Sequence, residues 1–159
     1  MSNSSIGSQF EELVKIVQRL RGPDGCPWDK EQTAESLISY MLEEAYEVIE
    51  AIDEKDWDGL KEELGDLMLH IVFQASIAQD TKLFDISESL KNINDKLIRR
   101  HPHVFDRKKL VKDKIKPSWE LQKHKEKKRN SRLDGVPKSL PGLIQAQRIQ
   151  EKASYVGFD

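Results

Sequence analysis

Apolar residues along this chain recur every three or four positions instead of alternating, so helices and not strands are expected. Phe10, Leu13, Val14, Val17 and Leu20 keep that spacing until Gly22-Pro23 ends it, which predicts a first helix. A loop from Gly22 to Asp29 follows and carries Cys26-Pro27-Trp28-Asp29. Leu37, Met41, Leu42, Ala45, Val48, Ile49 and Ile52 form the stripe of a second helix, expected from Thr33 to Glu54. Leu60, Leu64, Leu67, Met68, Ile71, Val72 and Ala75 form that of a third, expected from Trp57 to Asp80. Both stripes are wide enough to be read as core-facing. The connection at Lys55-Asp56 is short, so these two helices should lie antiparallel and in contact.

Asp85 or Ser87 is placed to cap a fourth helix bearing Ile86, Leu90, Ile93 and Leu97. It should end before His101-Pro102, because the residue before a proline is steered away from helical angles. Beyond Phe105 the chain turns lysine-rich and poor in apolar residues. A fifth helix is expected around Ser118–Arg129, a linker over Pro137–Gly142 and a short helix over Leu143–Ser154. Residues 1–9, rich in Ser, Asn and Gly, read as a disordered start. The main domain is then expected over 10–131, with 132–159 as linker and short helix. The fold class is all-α: a four-helix-bundle-like arrangement with extra C-terminal helices.

Composition agrees with that reading. At 159 residues, with 37% hydrophobic and 34% charged residues, the chain suits one domain of amphipathic helices with solvated outer faces. The net charge of −2 hides a segregation, acids crowding residues 43–66 and bases 96–132. A local acidic cluster attracts cations, whereas the overall balance gives no reason to expect a nucleic-acid polymer as partner. Cys26 is the single cysteine, which excludes an internal disulfide and fits a reducing, cytoplasmic setting. No apolar run reaches the roughly 18 residues of a membrane span, and the start lacks the order of a signal peptide.

The chemistry concentrates on the second and third helices. Glu44 and Glu47 form one acid-x-x-acid pair and Glu63 and Asp66 another, each about one turn apart on a single face. At about 100° per residue, both pairs fall on the same side of their apolar stripes, at offsets of about 90° and 150°. Equal offsets on antiparallel neighbours turn both flanks toward, or both away from, the shared groove. The midpoints of the pairs are equally far in sequence from Lys55, so the four acids should stand at one height and can converge. Single acids on helix flanks are usually solvated surface; four matched in angle and height are not so easily explained. Clustered carboxylates repel and lose solvation unless a cation joins them, and hard oxygen donors suit Mg²⁺, with Mn²⁺ as a substitute. A di-iron bundle would carry Glu-x-x-His at the ligating turn, where this chain has Asp66. Glu43 and Glu62 fall on the solvent side, Glu43 within reach of assisting a water.

Lys96 and Arg100 lie one turn apart on the fourth helix, where they either hold phosphate oxygens or simply complement the helix dipole. Arg99 points further outward. Trp28 offers a ring for stacking on a base or for anchoring its loop. His101 and His103 flank Pro102, as helix-end caps or as metal ligands.

Taken together, four runs resemble the MazG-type nucleoside triphosphate pyrophosphohydrolases. They are Gly25-Cys26-Pro27-Trp28-Asp29-Lys30-Glu31-Gln32-Thr33, Leu42-Glu43-Glu44-Ala45-Tyr46-Glu47, Glu62-Glu63-Leu64-Gly65-Asp66-Leu67 and Lys96-Leu97-Ile98-Arg99-Arg100-His101-Pro102-His103-Val104-Phe105. The two acidic elements, with 15 residues between Glu47 and Glu63, are shared with other all-α pyrophosphatases; the first and last runs narrow the resemblance. It implies the all-α NTP pyrophosphatase fold, assembly into homodimers or higher homo-oligomers, and Mg²⁺ at Glu44, Glu47, Glu63 and Asp66. It also implies phosphate contacts at Lys96 and Arg100, and hydrolysis of ribo- and deoxyribonucleoside triphosphates to monophosphate and pyrophosphate, in nucleotide-pool cleansing or stress control. Longer relatives carry two such domains, and the tail from Leu140 resembles their linker into the second. Two alternatives follow: a weak or inactive helical dimerisation module of a two-domain protein, and a pyrophosphatase restricted to dUTP.

Overall fold

The computed structural model describes residues 5–105, 131, 133–154 and 157–158. Among them, regular structure is helical: α1 (Ile6–Arg21), α2 (Pro27–Glu31), α3 (Ile38–Glu54), α4 (Trp57–Asp80), α5 (Ile86–Arg100), α6 (Pro102–Phe105) and α7 (Gly142–Ser154). None of these helices is long and apolar enough to cross a membrane. The chain forms two compact units, Met1–Ile93 and Asn94–Asp159.

In the first unit, α1 starts a turn earlier than the apolar spacing predicts. Ser5 Oγ accepts from the Ser8 N–H at 3.2 Å, so residues 6–9, expected to be disordered, are helical. Val17 of α1 is buried with Leu37, Val72 and Phe73, and Phe10, Leu13, Val14, Leu69 and Ile77 pack around them. Arg21 ties the loop to this core. Its guanidinium lies 5.4 Å above the Phe73 ring and donates to the Asp29 carbonyl at 2.9 Å and to Asp80 Oδ2 at 2.6 Å. Gln74 Nε2 adds a bond to the Ala34 carbonyl at 2.9 Å, so the segment leading into α3 is fastened to the C-terminal half of α4.

The second predicted helix starts later than expected, and a short helix stands before it, mostly within the stretch read as a loop. Pro27 opens the short α2, proline being suited to a first helical position. Thr33 and Ser36 then exchange side-chain bonds with each other's backbone N–H at 2.9 and 3.1 Å, which delays α3 to Ile38. Its far end is a left-handed cap at Lys55, φ 59°, with the Asp56 N–H donating to the Ala51 carbonyl at 2.9 Å. Asp56 in turn caps α4 through the Asp58 and Gly59 N–H groups, at 3.2 and 3.1 Å. Two residues thus reverse the chain and lay α3 against α4.

The two apolar stripes do not both face a core. Leu37, just before α3, is buried, and on α3 Ala45 and Val48 are half-buried, but Leu42 is 54% and Ile49 51% exposed, and Met41 and Ile52 are exposed too. On α4 Val72 and Ala75 are buried whereas Leu64, Met68 and Ile71 are exposed. The helices meet along the flank that carries the acids, and the outer part of each stripe is left uncovered.

Asp85 begins α5 with a reciprocal cap: its Oδ1 accepts from the Glu88 N–H at 2.8 Å while Glu88 Oε2 accepts from the Asp85 N–H at 3.1 Å. In the second unit His101 Nδ1 donates to the Leu97 carbonyl at 2.7 Å, closing the end of α5. Within α7, Lys152 is buried and donates to the Asp134 carbonyl at 3.1 Å. The helix expected around Ser118–Arg129 lies outside the described residues.

Candidate metal centre

α3 presents Glu44 and Glu47, and α4 presents Glu63 and Asp66, on the flanks where the two helices touch. One carboxylate oxygen each from Glu44, Glu63 and Asp66 lies within 4.8 Å of the others, and all three side chains are half-buried. Glu47, on the same face of α3, stands close enough for its charge to act on both Glu44 and Glu63. Of the four acids expected to converge, the structure brings Glu44, Glu63 and Asp66 together in this way.

The electrostatics reflect four acids in one place. Burial pushes the Glu44 carboxyl up to about 7, helped by its bond with Glu47 and by the charges of Glu47, Asp66 and Glu63. Glu63 is also raised, first by burial and then by the charges of Glu47, Glu62 and Asp66, against a lowering hydrogen bond from Glu44. A cluster that retains a proton because its charges are uncompensated is chemically suited to exchange that proton for a divalent cation. The donors are all carboxylate oxygens, the set that hard ions such as Mg²⁺, Mn²⁺ or Ca²⁺ take.

His70, one turn beyond Asp66 on α4, was not singled out from sequence. Its Nε2 stands 3.9 Å from Glu44 Oε1, its Nδ1 is buried without a hydrogen-bond partner, and burial pulls its protonation down while Asp66 opposes this. Tyr40, one turn before Glu44 on α3, was also passed over. Its ring meets that of Trp28 edge-on, centroids 6.1 Å apart and planes at 80°.

Of the remaining candidates, Glu43 and Glu62 are exposed, as their outer positions require. Trp28 is 53% exposed on α2, so it is not a fully buried anchor. In the second unit Lys96 is half-buried, Arg99 exposed and Arg100 buried at the end of α5. An apolar hollow of about 580 Å³ beside Arg21, Gln74, Ile77 and Phe84 shares no residue with the carboxylates.

The comparisons with known proteins converge on one family. Residues 32–105 match the MazG nucleotide pyrophosphohydrolase domain. The chain is 51% identical over 155 residues to the nucleoside triphosphate pyrophosphohydrolase/pyrophosphatase MazG of Thermotoga maritima, covering 96% of this chain and 60% of that protein. It is 47% identical over 157 residues to the nucleoside triphosphate pyrophosphohydrolase of Escherichia coli K12, with the same coverage. The chain thus spans 60% of the length of these curated relatives. The crystal structure of a mazG-related protein from Thermotoga maritima superposes with a TM-score of 0.60 at 30% identity, over 71% of this chain and 97% of that one. The all-helical fold, the acidic pairs on α3 and α4 and these matches together make this chain a member of the MazG nucleotide pyrophosphohydrolase family.

Proposed function

We propose that this chain hydrolyses nucleoside triphosphates, ribo- and deoxyribo-, between the α and β phosphates in a Mg²⁺-dependent reaction, releasing monophosphate and pyrophosphate. The observation that carries the reading is the meeting of Glu44, Glu63 and Asp66 oxygens within 4.8 Å, with the charge of Glu47 acting on Glu44. Glu44, Glu47, Glu63 and Asp66 would hold the ion, with Mn²⁺ a substitute. When bound, it supplies Lewis acidity toward phosphate oxygens and a water of lowered pKa.

The chain's own residues account for the rest. A water oxygen attacks the α phosphorus, the bond from that phosphorus to the α–β bridging oxygen breaks, and the pair of electrons leaves with pyrophosphate. Glu44 or Glu47 orients the water and accepts its proton, with Glu43 as a helper from the exposed side. Lys96 and Arg100, with Arg99 further out, neutralise the departing charge. Trp28, exposed and cornered by Tyr40 one turn from Glu44, offers the ring on which a base stacks.

The exposed apolar face supports a second proposal, homodimerisation. Leu42, Ile49 and Ile52 on α3 and Leu64, Met68 and Ile71 on α4 are exposed in one chain. At about 100° per residue both stripes are offset in the same sense from the seam between the helices, so they share a face. A contiguous apolar face of two helices is what a second copy covers.

Glu63→Ala and Asp66→Ala test the chemistry. Each should abolish Mg²⁺-dependent pyrophosphate release across a panel of nucleotides while leaving helical circular dichroism largely intact. Turnover surviving both changes rejects the carboxylate centre, turnover of dUTP alone narrows the substrate, and a folded dimer with no turnover and no Mg²⁺-dependent thermal shift marks a non-catalytic module.

A further inference from the structure

We propose that His70 is a positioning residue for the carboxylate centre, its Nε2–H holding Glu44 in the orientation a divalent cation takes. This rests on the reading of the four acids as a cation site. His70 lies one turn after Asp66 on α4, its side chain only 12% exposed, so it shares the flank that faces α3. Nε2 stands 3.9 Å from Glu44 Oε1, and Nδ1 is buried with no hydrogen-bond partner.

Those two facts select a tautomer. A neutral imidazole carries one N–H, and either nitrogen can hold it. With the proton on Nδ1, the donor would be enclosed without an acceptor and the bare Nε2 lone pair would face carboxylate oxygens. With the proton on Nε2, the donor faces Glu44 and the unmet group is a lone pair, the lesser loss. The Nε2–H tautomer is therefore the one this pocket holds.

Its consequence concerns Glu44. A carboxylate that gives one oxygen to a cation has its other oxygen free to swing, and a donor fixed on a neighbouring helix stops that motion. Closing the 3.9 Å separation to a charge-assisted bond takes about 1 Å of side-chain adjustment. Because α4 carries Glu63 and Asp66 as well as His70, the same rigid helix would supply two ligands and orient another that belongs to α3.

The test separates the two ring nitrogens. The amide nitrogen of glutamine reaches the position of Nε2, whereas that of asparagine stops near Nδ1. Mn²⁺ and Mg²⁺ affinities are measured by titration calorimetry on the full chain with no nucleotide, for the wild type and for His70→Gln, His70→Asn and His70→Leu. The Leu and Asn variants should bind Mn²⁺ about 10- to 100-fold more weakly and the Gln variant close to wild type. In turnover, Leu and Asn should raise the Mg²⁺ concentration for half-maximal pyrophosphate release more than they lower kcat at saturating Mg²⁺.

Wild-type binding that persists unchanged in His70→Leu overturns the proposal and leaves the carboxylate centre standing. A Gln variant as weak as Leu also overturns it, and since Gln and Asn are both polar amides, their comparison remains decisive if Leu fails to fold. A wild type that binds neither ion overturns the reading beneath as well.

Discussion

Glu44 carries a consequence that can be read without substrate. Its carboxyl titrates near 7 in the folded chain, against 4.5 for the unperturbed group, because it is buried among other acids. The folded state therefore holds a proton that the unfolded state has lost between those values, and stability falls as pH rises through the window. Metal-free protein should melt at lower temperature at pH 8 than at pH 5. If Mg²⁺ takes the place of that proton, as proposed, the thermal shift it produces should grow over the same interval. Glu44→Gln should flatten both trends, leaving the smaller slope due to Glu63, which is raised as well. A melting temperature independent of pH from 5 to 8, with and without Mg²⁺, would count against the clustered geometry. The meeting of Glu44, Glu63 and Asp66 was legible in the sequence because helical spacing and distance from Lys55 are arithmetic. His70 was not, since a lone histidine one turn from an acid pair has no spacing signature; its partner lies on another helix.

The turn between α3 and α4 is what sets those acids at a common height, and it rests on two caps. Lys55 takes the left-handed conformation, and Asp56 accepts from two N–H groups of the first turn of α4. Gly59 makes room for that cap, because a Cβ there would stand 2.7 Å from Asp56 Oδ2. Asp56→Ala should cost about 1 kcal/mol, a lowering of roughly 2–4 °C in Tm for a chain of this size. Glycine at position 55 should act the other way, since the left-handed conformation costs glycine no Cβ strain. Thermal denaturation of the two variants checks both directions. The boundaries of α4 were readable from sequence because this cap coincides with the start of the apolar spacing. The start of α3 was not: Thr33 and Ser36 trade local side-chain bonds that compete with helix, and a five-residue helix such as α2 is too short to show a period.

At the scale of the whole molecule, apolar spacing established that α3 and α4 are amphipathic but not what covers their apolar sides. The sequence reading placed both stripes toward a core. In the folded chain the acids occupy the seam, and Leu42, Ile49, Leu64, Met68 and Ile71 remain exposed. Periodicity carries angle within a helix and no information about the identity of its neighbour, so a face buried by the same chain and one buried by a second copy look alike. Each fully buried large apolar side chain contributes about 1.5–3 kcal/mol, so five of them left about half in water forgo much of that stabilisation unless something covers them. If a second copy does so, stability is linked to association, and the melting temperature must rise with protein concentration. Light scattering should then give the mass of a dimer or a larger homo-oligomer. Leu42→Asp combined with Ile49→Asp should reduce it to that of one chain, with a lower Tm that no longer depends on concentration. Neither residue belongs to the carboxylate cluster, so Mn²⁺ titration of this variant at a temperature where it is still helical asks whether one chain suffices to bind the ion. A wild type that runs as a single chain at every concentration would reject coverage of this face by a second copy.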